Sequence, residues 1–365
     1  AARPVRVLLL SRYGELGASS RMRSYQYLPA LERAGIDVTV APLLEDDYLI
    51  DRYGGRRGLR AAARGTVQRL RRLKARSGFD LLWVEKEIFP WLPAWGELRL
   101  SRGDTPMVVD YDDAVFHRYD ASPSRLVRKL LAGKIDAVMR RARLVLVGSS
   151  YLEERARRAG AAWVERMPTV VDLSRYRVRT RSAADGPVTV GWIGTPRTAP
   201  YLEDVKLALA TLVKRGAVRL RLIGAGPDAL KDLPVERRRW NLEREAAEIR
   251  ELDIGIMPVP DRPFERGKCG YKLIQYMASG LPVVASPVGG NLEVVSHGVD
   301  GYLAQSYPEW LHALEILVGD ADLRTRMGAA GRRKVEQHYT LEGHADRLAG
   351  LLRAAAQGPP AVAVR

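Results

Sequence analysis

The sequence predicts an α/β protein of two doubly wound domains, and three observations carry that expectation. A length of 365 residues exceeds what one hydrophobic core usually serves, while 46% hydrophobic residues and 33 glycines suffice to fill two. Short apolar runs recur, each followed by a glycine-containing loop and a helical pattern, which is the rhythm of β-α-β units with parallel strands. That rhythm stops between Asp172 and Pro187 and then restarts. The expected divisions are an N-terminal domain over 1–180, a C-terminal domain over 187–340, and a C-terminal helix and mobile tail over 341–365, with a cleft between the two domains.

The first strand is the apolar run 5–10, and a loop containing Gly14 and Gly17 follows it. A helical pattern over 25–34 closes at Gly35, and the next strand begins at once over 36–41. Runs at 81–84, 107–110 and 144–148 read as further buried strands. After the linker, strands fit 188–194, 218–224, 254–257 and 282–285, with helices over 205–215, 271–279 and 308–318.

Composition narrows the function classes. A charged fraction of 28%, a mean hydropathy of −0.20 and the lack of any run of about 18 apolar residues exclude a polytopic membrane protein. The single cysteine, Cys269, excludes an internal disulfide framework and a multi-cysteine zinc site. With no secretory-leader pattern before the first strand, a cytoplasmic location is expected. The net charge of +16 is uneven: residues 1–180 hold 34 basic and 21 acidic side chains, net +13, and the rest of the chain is net +3. A basic half points to an anionic partner.

The most informative stretch runs from Phe264 to Ala285. A glycine-containing loop enters a helix, Gly280-Leu281-Pro282 stops it, and a buried strand follows. Amide groups at a helix N-terminus, here those of Gly270 and Tyr271, with Lys268 and Lys272 beside them, form a site for a diphosphate. Gln275 lies three residues beyond Lys272 on the same helix face, in reach of a ribose. The plain alternative is a surface helix with two solvated lysines.

This block, with Ser286-Pro287-Val288-Gly289-Gly290-Asn291-Leu292-Glu293 and Asp300-Gly301-Tyr302-Leu303 after it, resembles the donor-binding signature of the large retaining glycosyltransferase family of GT-B fold, the glycosyl transferases group 1. The resemblance extends through Gly191-Trp192-Ile193-Gly194-Thr195-Pro196, Leu222-Ile223-Gly224-Ala225-Gly226 and Asp253-Ile254-Gly255-Ile256-Met257-Pro258, and covers nearly the whole second domain. It implies two Rossmann-like domains facing a cleft, transfer of a sugar from a nucleotide donor (a UDP-, GDP- or TDP-sugar) with retention, no metal and no further cofactor. It further implies donor contacts at Gly194, Thr195 and Arg197, and an acid facing the donor at Glu293, which would equally serve as a solvated helix acid. Where the family carries two glutamates eight positions apart, this chain has Gly267 and Gln275. Gln275 retains a neutral donor and acceptor for the ribose, and the contact to the donor sugar passes to Glu265, to Asp261 or elsewhere.

In the first domain the match is looser. The loop after the first strand offers Gly17 for close backbone approach and Ser20, Arg21 and Arg23 as donors to an anionic acceptor, or as cap and surface groups. Asp110-Tyr111-Asp112-Asp113 follows an apolar strand, at the edge where ligands bind. Asp112 and Asp113 are candidate acceptor bases, which would allow inversion, and His117 is a candidate contact to sugar or leaving phosphate or a structural histidine. Asp-x-Asp also reads as a metal pattern, but it belongs to a different glycosyltransferase architecture and no metal is expected here.

Between Arg52 and Arg76 lie ten basic side chains and no acidic one, with Leu59, Ala63, Val67, Leu70 and Leu73 at helical spacing. This pattern fits an anionic membrane surface, at about 1 kcal/mol per engaged cation, or a helix packed on the sheet with its charges in water. Aromatic platforms are sparse among these charges, so no nucleic acid is expected. The reading is a glycosyltransferase peripheral to the inner face of the cell membrane, acting on a lipid-linked or saccharide acceptor in envelope polysaccharide or glycolipid synthesis. Its rivals are a sugar-nucleotide epimerase of the same fold and a non-catalytic basic scaffold that binds membrane or nucleic acid.

Overall fold

The computed structural model describes residues 3–53, 58–178 and 186–358. They form two compact units, one of residues 1–169 with 341–365 and one of residues 170–340.

The first unit is built on a parallel sheet of six strands: β1 (Val5–Leu10), β2 (Ile36–Val40), β3 (Leu81–Glu85), β4 (Met107–Tyr111), β5 (Leu144–Val147) and β6 (Val164–Arg166), in the order β2-β1-β3-β4-β5-β6. β3, β4 and β5 are buried at every position, which is why they read as unbroken apolar runs rather than as alternating ones. The order reverses at β1, between β2 and β3, so ligand-binding loops are expected beyond the carboxyl ends of β1 and β3.

The second unit repeats the plan with β7 (Val188–Ile193), β8 (Val218–Ile223), β9 (Val235–Arg238), β10 (Ile254–Met257), β11 (Val283–Ala285) and β12 (Gly301–Leu303), in the order β12-β11-β10-β7-β8-β9. Its reversal lies at β7, between β8 and β10. Trp192 and Trp310 fill the core on one face and Tyr276 on the other.

Two boundaries differ from the sequence reading. The first unit ends at Thr169, because the next residues bond into the second: the Val171 N–H donates to the Tyr339 carbonyl at 2.9 Å, and the buried Tyr176 hydroxyl lies 3.4 Å from Glu245. Residues 179–185 of the expected linker lie outside the described residues. The helix Leu341–Gln357 is part of the first unit. It buries Leu348 and Leu352, each contributing about 2 kcal/mol of apolar burial, and Arg347 pairs with Glu165 at 2.7 Å. The tail expected to be mobile, 359–365, also lies outside the described residues.

Candidate active site

At the reversal of the second sheet, the loop after β7 is pinned by its own backbone. The Gly194 N–H donates to the Ile223 carbonyl at 3.0 Å, and the Thr195 carbonyl accepts from Thr198 and Ala199 at 3.0 and 3.1 Å. Arg197, in the same loop, is exposed. The chain leaving β10 passes through a single turn at Glu265–Gly267 and enters the helix Tyr271–Ala278. Gly270 caps this helix at φ +68, the left-handed region that a side chain disfavours. The Gly290 N–H donates to the Lys268 carbonyl at 2.8 Å, and a Cβ on Gly290 would lie 2.6 Å from that oxygen. The loops after β10 and β11 are thus locked backbone to backbone, and they fix where the helix begins.

Around that helix start the cations stand over aromatic rings. The Lys268 ammonium lies 5.5 Å from the Phe264 ring and 6.0 Å from Tyr201, and the Lys272 ammonium 5.7 Å from Trp192. Tyr201 donates to Glu265 at 2.7 Å. Asp261, the other candidate for the donor sugar, is engaged by Arg266 at 2.6 Å. A helix N-terminus carries partial positive charge, so this corner presents amide dipoles and two ammonium groups together. Glu293 is half-buried in the first turn of the helix Asn291–Val294.

Gln275 does not face this corner. It is buried, and its amide donates to the Tyr176 hydroxyl at 3.0 Å and to Glu245 at 2.9 Å. Glu245 also accepts from the Trp240 indole at 2.6 Å. The ribose contact expected of Gln275 is corrected to a core bond that ties three segments of the second unit together.

In the first unit the expected acceptor donors turn inward. Residues Ala18–Arg23 form a helix, with Gly17 as its cap packed against Tyr13. Ser20 is fully buried and donates to Glu85 at 2.5 Å. Arg21 donates to the Glu15 carbonyl at 2.8 Å, and Arg23 forks onto Asp110 and reaches the Met167 carbonyl at 2.5 Å. Burial pushes the Asp110 carboxyl up to about 6 against the pull of Arg23. These groups hold the sheet edge together, and the contact to an anionic acceptor assigned to Ser20, Arg21 and Arg23 is corrected accordingly.

His117 is likewise engaged at both ring nitrogens, at 2.6 Å from Asp120 and 2.7 Å from the Tyr151 hydroxyl. It braces the loop after β4, which corrects the expected contact to sugar or phosphate. Asp112 accepts from Ser19 and pairs with the Lys86 ammonium at 2.8 Å. Burial raises its carboxyl, but Lys86, Ser19 and Arg23 outweigh that and bring it down to about 2. A carboxylate this acidic is a poor proton acceptor at neutral pH, so Asp112 is corrected from base to ion-pair partner. Asp113 lies 3.6 Å from the same ammonium and keeps 26% of its side chain exposed. The Asp-x-Asp pattern is therefore held by two ion pairs, Arg23 with Asp110 and Lys86 with Asp112.

Sequence reasoning missed the groups that organise this edge. Glu85, Lys86 and Glu87 are three consecutive buried charged residues at the end of β3. Glu87 accepts from Arg12, Tyr119 and Lys134 at 2.7–3.0 Å. Arg69, expected among the exposed cations, is buried and donates to the carbonyls of Ser11, Ala41 and Ile88, tying the ends of β1, β2 and β3. The available signal was an abrupt change from the apolar Leu81-Leu82-Trp83-Val84 to Glu85-Lys86-Glu87 at a predicted ligand edge.

Comparison with known proteins agrees with this architecture. Residues 188–320, which lie within the second unit, match the family described as Glycosyl transferases group 1. The chain is 30% identical over 193 residues to the D-inositol 3-phosphate glycosyltransferase of Nocardia farcinica, covering 45% of this chain and 42% of that protein. It is 28% identical over 156 residues to the N-acetyl-alpha-D-glucosaminyl L-malate synthase of Bacillus anthracis, covering 40% of each. The matches thus span less than half the length of these relatives. Among solved structures, Anabaena Alr3699/HepE in complex with UDP superposes with a TM-score of 0.70 at 16% identity, over 96% of this chain and 100% of that one. WaaG, a glycosyltransferase involved in lipopolysaccharide biosynthesis, does so with 0.69 at 13% identity, over 95% and 99%. The fold is GT-B, two Rossmann-like doubly wound units.

Proposed function

We propose that the chain transfers a sugar from a nucleoside diphosphate donor, bound by the second unit, to a hydroxyl of an acceptor bound by the first. The observation that carries this reading is the corner where Lys268, Lys272 and the start of the helix Tyr271–Ala278 meet, within the residues that match the Glycosyl transferases group 1 family. The anomeric C–O bond to the diphosphate breaks and its electron pair leaves on the phosphate oxygen. The acceptor oxygen forms the new bond and its proton passes to the departing diphosphate oxygen. Charge develops on the diphosphate, so two ammonium groups and preorganised amides lower the barrier. The resemblance to the retaining family favours retention, and the NMR stereochemistry of the product tests it.

The assay is release of nucleoside diphosphate from a panel of UDP-, GDP- and TDP-sugars, with and without glycoside acceptors. Acceptor-dependent release supports the reading. Conversion of the sugar to its epimer without an acceptor supports an epimerase instead, and no binding or turnover with any donor supports a scaffold.

For the partner surface, the exposed face of the first unit supports an anionic membrane, with a shift of emphasis. In the helix Leu59–Lys74, Arg69 is buried and Arg64 pairs with Glu45 and Asp47, while Leu59, Val67, Leu70, Arg60, Arg71, Arg72 and Lys74 face solvent. Arg56 and Arg57 lie outside the described residues. Elsewhere in that unit Trp91, Trp95, Leu126 and Leu130 are 60, 72, 65 and 56% exposed, with Arg125 and Lys129 beside the two leucines. Apolar anchors among cations suit the interface of an anionic leaflet. No described helix is long and apolar enough to cross a membrane. Flotation with phosphatidylglycerol against phosphatidylcholine vesicles tests this, and equal binding to both, or binding unaffected by salt, would oppose it. A lipid-linked acceptor in envelope polysaccharide or glycolipid synthesis is the class of substrate that such a surface would deliver.

A further inference from the structure

Lys86 is a buried cation in a backbone conformation that, among the described non-glycine residues of the first unit, it shares with Trp91. It has φ +67, where a residue with a long side chain is strained by about 1–2 kcal/mol. The Glu87 N–H donates to the Glu85 carbonyl at 2.8 Å, so Lys86 is the central residue of a three-residue turn. Its own N–H donates to the Asp110 carbonyl at 2.9 Å. Its neighbours over-determine this turn: Glu85 accepts from the Arg12 N–H at 2.9 Å and from Ser20, and Glu87 is fixed by Arg12, Tyr119 and Lys134.

The strained turn aims the buried ammonium at one place. It lies 2.8 Å from Asp112, 2.8 Å from Ser19, 3.6 Å from Asp113 and 3.8 Å from Glu85. Ser19 donates onward to Asp112. Of these carboxylates, Asp113 has the most exposed side chain, and it lies in the loop after β4 at the sheet's carboxyl edge. A buried cation placed only to stabilise the fold would not need to be held in a disfavoured backbone conformation, since ion pairs of this kind barely repay their desolvation.

We propose that Lys86 is a positioning residue that fixes Asp113, through the Lys86–Asp112–Ser19 cluster, to accept a hydrogen bond from a hydroxyl of a polyhydroxylated acceptor. The proposal rests on the glycosyl transfer reading and specifies its acceptor side: a sugar or polyol end, recognised by a carboxylate held beside a buried ammonium. Asp113 orients the hydroxyl. The donor corner of the second unit does not depend on Lys86.

The test compares the wild-type chain with Lys86→Met and Lys86→Arg. The nucleotide sugar giving the largest thermal shift serves as donor, with water and a panel of octyl glycosides as acceptors. Lys86→Met is expected to keep donor hydrolysis and the nucleotide-induced thermal shift within twofold, while kcat/KM for glycoside transfer falls at least tenfold. Lys86→Arg is expected to recover part of that loss. If Lys86→Met does not fold, Asp113→Asn and Ser19→Ala are expected to give the same split between transfer and hydrolysis. Glycoside transfer unchanged in Lys86→Met, or transfer and hydrolysis lost in equal proportion, overturns the positioning role. Wild-type hydrolysis without transfer to any glycoside overturns the acceptor class. A wild-type chain that binds no nucleotide overturns the glycosyl transfer reading, and this proposal with it.

Discussion

Placing a glutamate at position 275 is expected to create a pH-dependent weakness. In the native chain the Gln275 amide donates to Glu245 at 2.9 Å within a buried cluster. Gln275→Glu would place a second carboxylate at that distance. At an effective dielectric of about 20, two charges 2.9 Å apart repel by about 6 kcal/mol, and the pair avoids this by holding one proton between them. The proton belongs to the folded state, because an unfolded glutamate releases it near 4.3. A folded pKa raised above the unfolded value makes stability fall as pH rises, by about 1.4 kcal/mol per pH unit until the folded pKa is passed. Between about pH 5 and 7.5 the variant should lose about 3 kcal/mol relative to wild type. At roughly 3 °C per kcal/mol for a unit of this size, that is a further fall of about 10 °C in Tm. Thermal melts of both proteins at pH 5, 6, 7 and 8 give the result directly. A difference in Tm that does not change with pH would refute the buried position of Gln275 against Glu245.

Three other outcomes follow from single contacts. Gly290→Ala drives a Cβ to 2.6 Å from the Lys268 carbonyl, which should cost about 1–3 kcal/mol in a denaturant melt and weaken nucleotide affinity with it. Arg69→Leu removes the donor to the buried carbonyls of Ser11, Ala41 and Ile88, of which Ser11 keeps the Leu43 N–H, and should destabilise by about 3 kcal/mol by urea titration. His117→Ala removes bonds to Asp120 and Tyr151; it should lower stability by about 1–2 kcal/mol and leave transfer within twofold, where a loss of turnover exceeding the loss of fold would restore a catalytic role.

The fold was legible because buried parallel strands write themselves as unbroken apolar runs. The inner strands of both sheets, Leu81–Glu85 and Ile254–Met257 among them, stand where periodicity predicts. The short edge strands Val164–Arg166 and Val235–Arg238 were not legible, since they are half exposed and their charged residues carry no core signal. The helix start at Tyr271, with Lys268 and Lys272 beside it, was legible through glycines and lysines in local sequence. Gln275 was not, because its partners Tyr176 and Glu245 are 99 and 30 residues away. The first unit misled for a related reason. Arg21 and Arg23 supply donors in sequence, and only the tertiary pairing with Glu15 and Asp110 shows that they face inward. Lys86 reads as an ordinary lysine at a strand end until its backbone angle and three carboxylate neighbours are known.

The diphosphate site proposed above is the start of the helix Tyr271–Ala278, with Lys268 and Lys272. Isothermal titration of the whole chain with UDP, GDP and TDP, repeated on Lys268→Ala and Lys272→Ala, tests it most directly. Saturable binding of one of these nucleotides is expected, weakened about tenfold or more by either substitution, the loss of one charge-assisted bond. Binding of equal strength in both variants and wild type, or no binding of any of the three, would contradict it.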